Sequence, residues 1–106
     1  MTLREILEVT EGRALTPDID LSIEANSAFS ADLMSDVLHL AKDGSLLLTG
    51  LTHPQVVRTA EMAGIAAILF VRNKMPPPET VQLAEEKGVP LLASRFTMFE
   101  TGGRIY

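Results

Sequence analysis

Three short runs of this chain are apolar almost from end to end: Ser45–Thr49, Ala66–Val71 and Pro90–Ala93. A strand with one wet face alternates apolar and polar residues, whereas a strand that is apolar throughout has to be covered on both faces, as in parallel sheets. The segments between the runs, Pro54–Ala63 and Pro78–Lys87, have helical patterning and the length of crossovers. Each opens on a proline, whose missing amide proton is no loss in a first helical turn. Each is followed by a glycine, Gly64 or Gly88, suited to end a helix. A β-α-β-α-β core follows, so the predicted fold class is α/β: a three-layer or two-layer sandwich around a mainly parallel sheet, preceded by an N-terminal helical and edge-strand segment.

The flanks read less uniformly. Thr2 with Glu5 forms a capping box ahead of Leu3, Ile6 and Leu7 at helical spacing, which predicts a helix over Leu3–Val9 that stops at Gly12. Between Arg13 and Phe29 the pattern is weak, and only Leu21 and Ile23 alternate with polar neighbours as a short edge strand would. Ser30 is placed to cap a second helix, Ala31–Lys42, with Leu33, Val37, Leu40 and Ala41 on one face and Gly44 as the stop. Phe96–Glu100 predicts a turn or two of helix capped by Gly102-Gly103, with Arg104-Ile105-Tyr106 as a tail. The 106 residues suit one domain, spanning 1–106.

Composition excludes several functions. There is no cysteine, hence no disulfide, thiol nucleophile or thiolate zinc site. Fourteen acidic against nine basic side chains give a net charge of −5 with no Lys/Arg run, which argues against nucleic acid as a partner. The longest apolar stretch, Ile65–Val71, is far short of the roughly 20 residues that span a bilayer, and the charged Met1–Glu5 segment leads into no signal-peptide core. The expectation is a cytoplasmic domain with no membrane partner.

Ligands of open parallel sheets bind beyond the carboxyl ends of the strands. The residues there are Gly50, Thr52 and His53 after the first run, Arg72, Asn73 and Lys74 after the second, and Ser94 and Arg95 after the third. Gly50, Thr52 and His53 lead into a helix N-terminus, whose free amides and dipole favour an anion. Arg72, Asn73 and Arg95 add a bidentate fork and further donors. The competing reading makes Gly50 a permissive turn, Thr52 or His53 a cap, and the cations solvated loop charges. Neither GxGxxG nor a Walker loop is present, nor a nucleophile elbow or HExxH, so no catalytic residue is assigned. Asp32, Asp36 and His39 share one helical face, with Asp43 extending the stripe. A solvated polar face explains them better than a metal, and no metal or other cofactor is assigned. Met75, Phe96, Met98 and Phe99 are candidates for a partner surface, and a homodimer is the expected way for so small a domain to cover apolar area.

The stretches Asp43–Gly50, Ala66–Val71, Pro78–Leu92 and Phe96–Thr101 together resemble a DRTGG domain, most specifically in LAEEKGVPLL and the FTMFET that follows. The resemblance covers roughly Ser30 to the C-terminus. The sequence departs from the family pattern at Leu51-Thr52-His53-Pro54, where a charged Arg/Asp pair commonly follows the glycine. The resemblance implies a bacterial regulatory module of the kind attached to CBS domains or found in phosphotransacetylases, and similar to the amino-terminal domain of HPr kinase/phosphorylase. It implies no kinase activity, because the Walker loop has no counterpart here. Three functions stay open: a sensor of an anionic metabolite or nucleotide that modulates a partner enzyme or signalling protein, an interaction module without ligand, and an enzyme with an unrecognised site.

Overall fold

The computed structural model describes all residues from Met1 to Tyr106. Helix α1 (Leu3–Thr10) is followed by strands β1 (Arg13–Ala14) and β2 (Ser27–Ser30) and helix α2 (Met34–Leu40). Then β3 (Ser45–Thr49), α3 (Pro54–Met62), β4 (Ala67–Phe70), α4 (Pro78–Lys87), β5 (Leu91–Ala93) and α5 (Met98–Ile105) complete the chain. The strands form one five-stranded sheet in the order β1-β5-β4-β3-β2, with β2 to β5 parallel and β1 antiparallel to β5.

The sheet is the middle of three layers. Side chains alternate across a strand, so Leu47, Ile68, Phe70 and Leu91 point to one face, where they pack with Val37 of α2, Val56, Val57 and Ala60 of α3, and Ala84 of α4. Leu46, Leu48, Leu69 and Leu92 point to the other and meet Leu3 and Ile6 of α1 with Met98 and Ile105 of α5. All five residues of β3 and all four of β4 are buried, in keeping with the apolar Leu46–Leu48 and Ala67–Phe70, while the hydroxyls of Ser45 and Thr49 at the ends of β3 are hydrogen-bonded. Burying one Leu or Ile side chain is worth about 1.5–3 kcal/mol, so these central strands carry much of the driving force for folding.

Local signals act where they were read. The Glu5 amide donates to Thr2 Oγ1 at 3.2 Å and the Thr2 amide to Glu5 Oε1 at 2.9 Å, closing the capping box. Pro54 and Pro78 open α3 and α4, and Gly88 ends α4 in the left-handed conformation. Gly64 follows α3 at φ +70°, and a side chain on it would run into the Asp43 carboxylate. Gly12 is required for a different reason: a Cβ there would stand 2.7 Å from the Ala93 carbonyl oxygen, where the chain leaving α1 passes over β5.

Four expectations change. No strand forms at Leu21 and Ile23; this segment makes backbone bonds with the N-terminus, Leu3 N to Ile23 O at 3.0 Å and Arg4 N to Leu21 O at 3.1 Å. The edge strands are instead Arg13–Ala14 and Ser27–Ser30. The second helix is shorter than Ala31–Lys42, because Ser30 belongs to β2 and the Ala31 amide donates to the Leu48 carbonyl, so the sheet ladder takes residues that local capping would give to the helix. Leu33 and Leu40 are consequently exposed, and Gly44 sits at φ +81° in the turn before β3. Finally, α5 runs through Gly102 and Gly103. Met98, Thr101 and Ile105 pack under the sheet, and Arg104 returns to Glu100 at 3.1 Å, which outweighs the roughly 1 kcal/mol that each glycine takes from a helix.

Replacing Thr2 by Ala removes the cap and is expected to lower stability by about 1 kcal/mol in urea unfolding. Three carboxyls are held below their ordinary range: Glu5 by the Thr2 amide and hydroxyl, Glu11 by Arg95, and Asp20 by the Ser22 hydroxyl and amide. A depressed folded-state pKa adds stability that is present above the ordinary carboxylate range and lost as pH falls through the folded-state values. The melting temperature is therefore expected to hold near neutrality and fall on acidification, with a shallower fall in Glu5→Gln and Glu11→Gln.

Candidate functional site

Because β2 to β5 run parallel, their carboxyl ends gather the loops after Ser30, Thr49, Phe70 and Ala93 at one end of the sheet. The chain leaves β4 toward α4 on one face and leaves β5 toward α5 on the other, an arrangement that opens a crevice in doubly wound sheets. Here the two loops stay zipped. The Arg72 amide donates to the Phe96 carbonyl and the Asn73 amide to the Ser94 carbonyl, both at 2.7 Å, while the Ser94 hydroxyl donates to the Thr10 carbonyl at 2.8 Å.

Val71–Lys74 is a tight turn closed by Lys74 N to Val71 O at 3.2 Å, and its two central residues, Arg72 and Asn73, have φ of 56° and 54°. Positive φ at both centres defines a primed turn, which favours Asn-Gly or Gly-Gly. A long side chain in the left-handed region costs about 1–2 kcal/mol, so arginine is held there against its backbone preference. Its guanidinium extends over the end of β3: a Cβ on Gly50 would lie 3.1 Å from Arg72 Nη2 and 3.9 Å from Asp32 Oδ1. Gly50 is not at positive φ, and its bare Cα is what leaves room for the arginine.

Asp32 completes this corner. Its Oδ1 accepts the Thr49 hydroxyl at 3.0 Å and the Gly50 amide at 2.9 Å, tying the end of β2 to the end of β3. The Leu51 amide in turn donates to Thr49 Oγ1 at 3.1 Å. Thr52 offers its carbonyl to the Thr80 hydroxyl at 2.7 Å, which fastens the loop to α4. His53 is the N-cap residue of α3; it makes no side-chain cap and is exposed.

The six residues singled out at the strand ends therefore divide. Gly50 and Arg72 come together, with Thr52 and His53 on the loop that continues into α3. Asn73 and Arg95 are turned to other partners. Arg13 reaches Asn73 Oδ1 at 3.4 Å and Met75 Sδ at 3.0 Å, while Arg95 pairs with Glu11 at 2.9 Å and lies over the Phe96 ring at 4.4 Å. Arg104 stacks on the same ring at 3.9 Å and meets Glu11 at 3.7 Å. Phe96 is buried under these two cations, so of the proposed Met/Phe partner surface only Met75 and Phe99 are exposed, with Met98 half-buried.

Helical spacing places Asp32 in a polar stripe with Asp36 and His39, whereas in the fold it is a strand-end latch. Recognising that β2 continues to Ser30 is the step that would have revealed it. It lies outside α2, and no group of three His, Asp or Glu side chains assembles around it or elsewhere.

A family model for the DRTGG domain matches residues 5–106. The chain belongs to the DRTGG domain family. The match takes in α1, β1 and the weakly patterned Arg13–Phe29 segment, not only the part from Ser30 onward. No match is found among curated proteins. Among solved structures, the CBS and DRTGG domains of the regulatory region of Clostridium perfringens pyrophosphatase, complexed with the activator diadenosine tetraphosphate, superpose with a TM-score of 0.80 at 12% identity. The match covers 98% of this chain and 45% of that one, so this DRTGG domain spans a little under half of the two-module chain it resembles.

Arg72→Gly is expected to raise stability by up to about 1 kcal/mol, since relief of backbone strain exceeds the added chain entropy of glycine. Asp32→Ala, which frees the Thr49 hydroxyl and the Gly50 amide, is expected to lower it by about 1–2 kcal/mol. Urea titrations of both variants read these opposite signs.

Proposed function

We propose that this DRTGG domain is a regulatory module that binds an anionic metabolite, a nucleotide in the first instance, at the carboxyl ends of β3 and β4, and transmits the binding to a partner protein without turnover of its own. The observation that carries this reading is Arg72, an exposed guanidinium with no ion-pair partner, held at unfavourable φ over a glycine that leaves it room. Backbone strain retained at a charged residue is common where the side chain contacts a ligand. An anion seated there would meet the fork of Arg72, with His53 and the first turn of α3 on the adjoining loop. Asn73 and Arg95 enter this proposal as a second tier, since a ligand would have to draw them away from Arg13 and Glu11. The nucleotide class is favoured by the structurally similar pyrophosphatase regulatory region, whose activator is a dinucleoside polyphosphate.

The test is a thermal-shift and calorimetric titration with AMP, ATP, diadenosine tetraphosphate, acetyl phosphate and inorganic phosphate. A ligand at a hundred times its Kd adds about 2.7 kcal/mol to the folded state. In a domain of this size that is a rise on the order of 10 °C. The expected result is a rise with at least one nucleotide that Arg72→Ala abolishes and His53→Ala weakens. No rise at millimolar concentration, or one that survives Arg72→Ala, would overturn this site and leave the domain as a protein-interaction module.

A further inference from the structure

Asp32 and Arg72 come from the two strands that flank β3, and they meet over its end. Asp32 follows the last residues of β2, Arg72 follows β4, and Gly50 follows β3 between them. A Cβ on Gly50 would lie 3.1 Å from Arg72 Nη2 and 3.9 Å from Asp32 Oδ1, so both groups border the space that a side chain there would fill. Both residues are exposed, yet no ion pair closes between them.

The carboxylate is half used. An ionised carboxylate has about four acceptor positions, two on each oxygen. Oδ1 spends its two on the Thr49 hydroxyl and the Gly50 amide, and these bonds fix the direction of the group. Oδ2 receives no hydrogen bond from the chain, so it is held ready for two further donors. A metal ion does not suit the corner, because a guanidinium borders the same glycine and no third His, Asp or Glu assembles there. A bare anion suits it poorly too, since the carboxylate repels what the guanidinium attracts. A ligand that carries an anion and a pair of hydrogen-bond donors satisfies both groups at once.

We propose that Asp32 sets the specificity of the anion site described above, a reading on which this inference rests. Its Oδ2 accepts the two vicinal hydroxyls of a ribose while Arg72 holds a phosphate of the same molecule, and the bare Cα of Gly50 lets the sugar come close. The ligand class is a phosphorylated ribose with both hydroxyls free, a ribonucleotide before a simple sugar phosphate. In dinucleotide-binding sheets an acidic side chain holds ribose hydroxyls by the same chemistry. Here the phosphate is met by a guanidinium instead of a glycine-rich turn.

Calorimetric titration of the full chain with AMP, 2′,3′-dideoxy-AMP and ribose 5-phosphate tests it, in the wild type and in Asp32→Asn. Asparagine keeps an oxygen for the Thr49 hydroxyl and the Gly50 amide but puts an amide donor in place of Oδ2, and urea unfolding checks that the latch survives. The wild type is expected to bind AMP at least about tenfold more tightly than the dideoxy analogue, because a site built to bond a hydroxyl rejects a ligand without it. In Asp32→Asn the two are expected to bind within about twofold of each other, the analogue no more weakly than before, since the repelling charge is gone. Ribose 5-phosphate binding more weakly than AMP assigns a nucleotide, and equal binding assigns a sugar phosphate. Equal binding of AMP and its dideoxy analogue by the wild type overturns the proposal without help from any variant. So does a preference for AMP that survives Asp32→Asn, or binding of none of the three. In each of these cases the anion site itself stands if Arg72→Ala abolishes the binding of another anion, inorganic phosphate included, and falls if it does not.

Discussion

Everything in this domain depends on β3 and β4 being covered on both faces. Leu46, Leu48 and Leu69 press on α1 and α5 while Leu47, Ile68 and Phe70 press on α3 and its neighbours. Neither helical layer could be lost without exposing half of the apolar side chains in two adjoining strands. With both present, the strands are fixed in height and register, and the loops at their carboxyl ends are delivered to one end of the molecule. The position of Arg72 over Gly50 follows from the pairing of Thr49 with Phe70, which sets the ends of β3 and β4 level.

The same constraint explains where the polar groups go. The buried central strands have no room for charge, so the charged side chains near them collect at strand ends and along the helices. Glu11 between Arg95 and Arg104, with Phe96 beneath the two guanidinia, closes the β5 side of the carboxyl end. Asp32 closes the other side by holding Thr49 and Gly50. What stays open between them is the corner in which Arg72 is held without an ion-pair partner. Exposed pairs of this sort add little stability individually, so their importance is in deciding which cations are occupied and which are free.

The core and its helices were legible because their signals are local and repeated. A run such as AAILFV excludes a wet face, and proline before and glycine after a helical stretch mark its ends without reference to any other part of the chain. α4 appears over the residues read for it, Pro78–Lys87, and α3 within one residue of its expected end. The misreadings share one cause. Ser30 has the chemistry of a helix cap, Leu21 and Ile23 have the spacing of a strand, and Gly102-Gly103 has the composition of a helix stop. In each case a partner distant in sequence decided otherwise: Leu48, the N-terminal segment, and the underside of the sheet. The candidate site was legible only as a set of residue types at strand ends. That Asn73 and Arg95 are taken by Arg13 and Glu11 could not be read, because those partners are 60 and 84 residues away.

By itself the sequence determined the fold class, the parallel core and the crowd of polar residues beyond it, since hydrophobic periodicity and helix-end chemistry are properties of neighbouring residues. The family was legible in it too, from the stretches it shares with DRTGG domains. Only the tertiary structure decided which edge of the sheet stays open, which of the two strand-end arginines, Arg72 or Arg95, is left without a carboxylate partner, and that Asp32 latches two strands rather than decorating a helix. Those outcomes depend on pairing across the sheet, where the free energy lies between residues that the chain alone does not bring together.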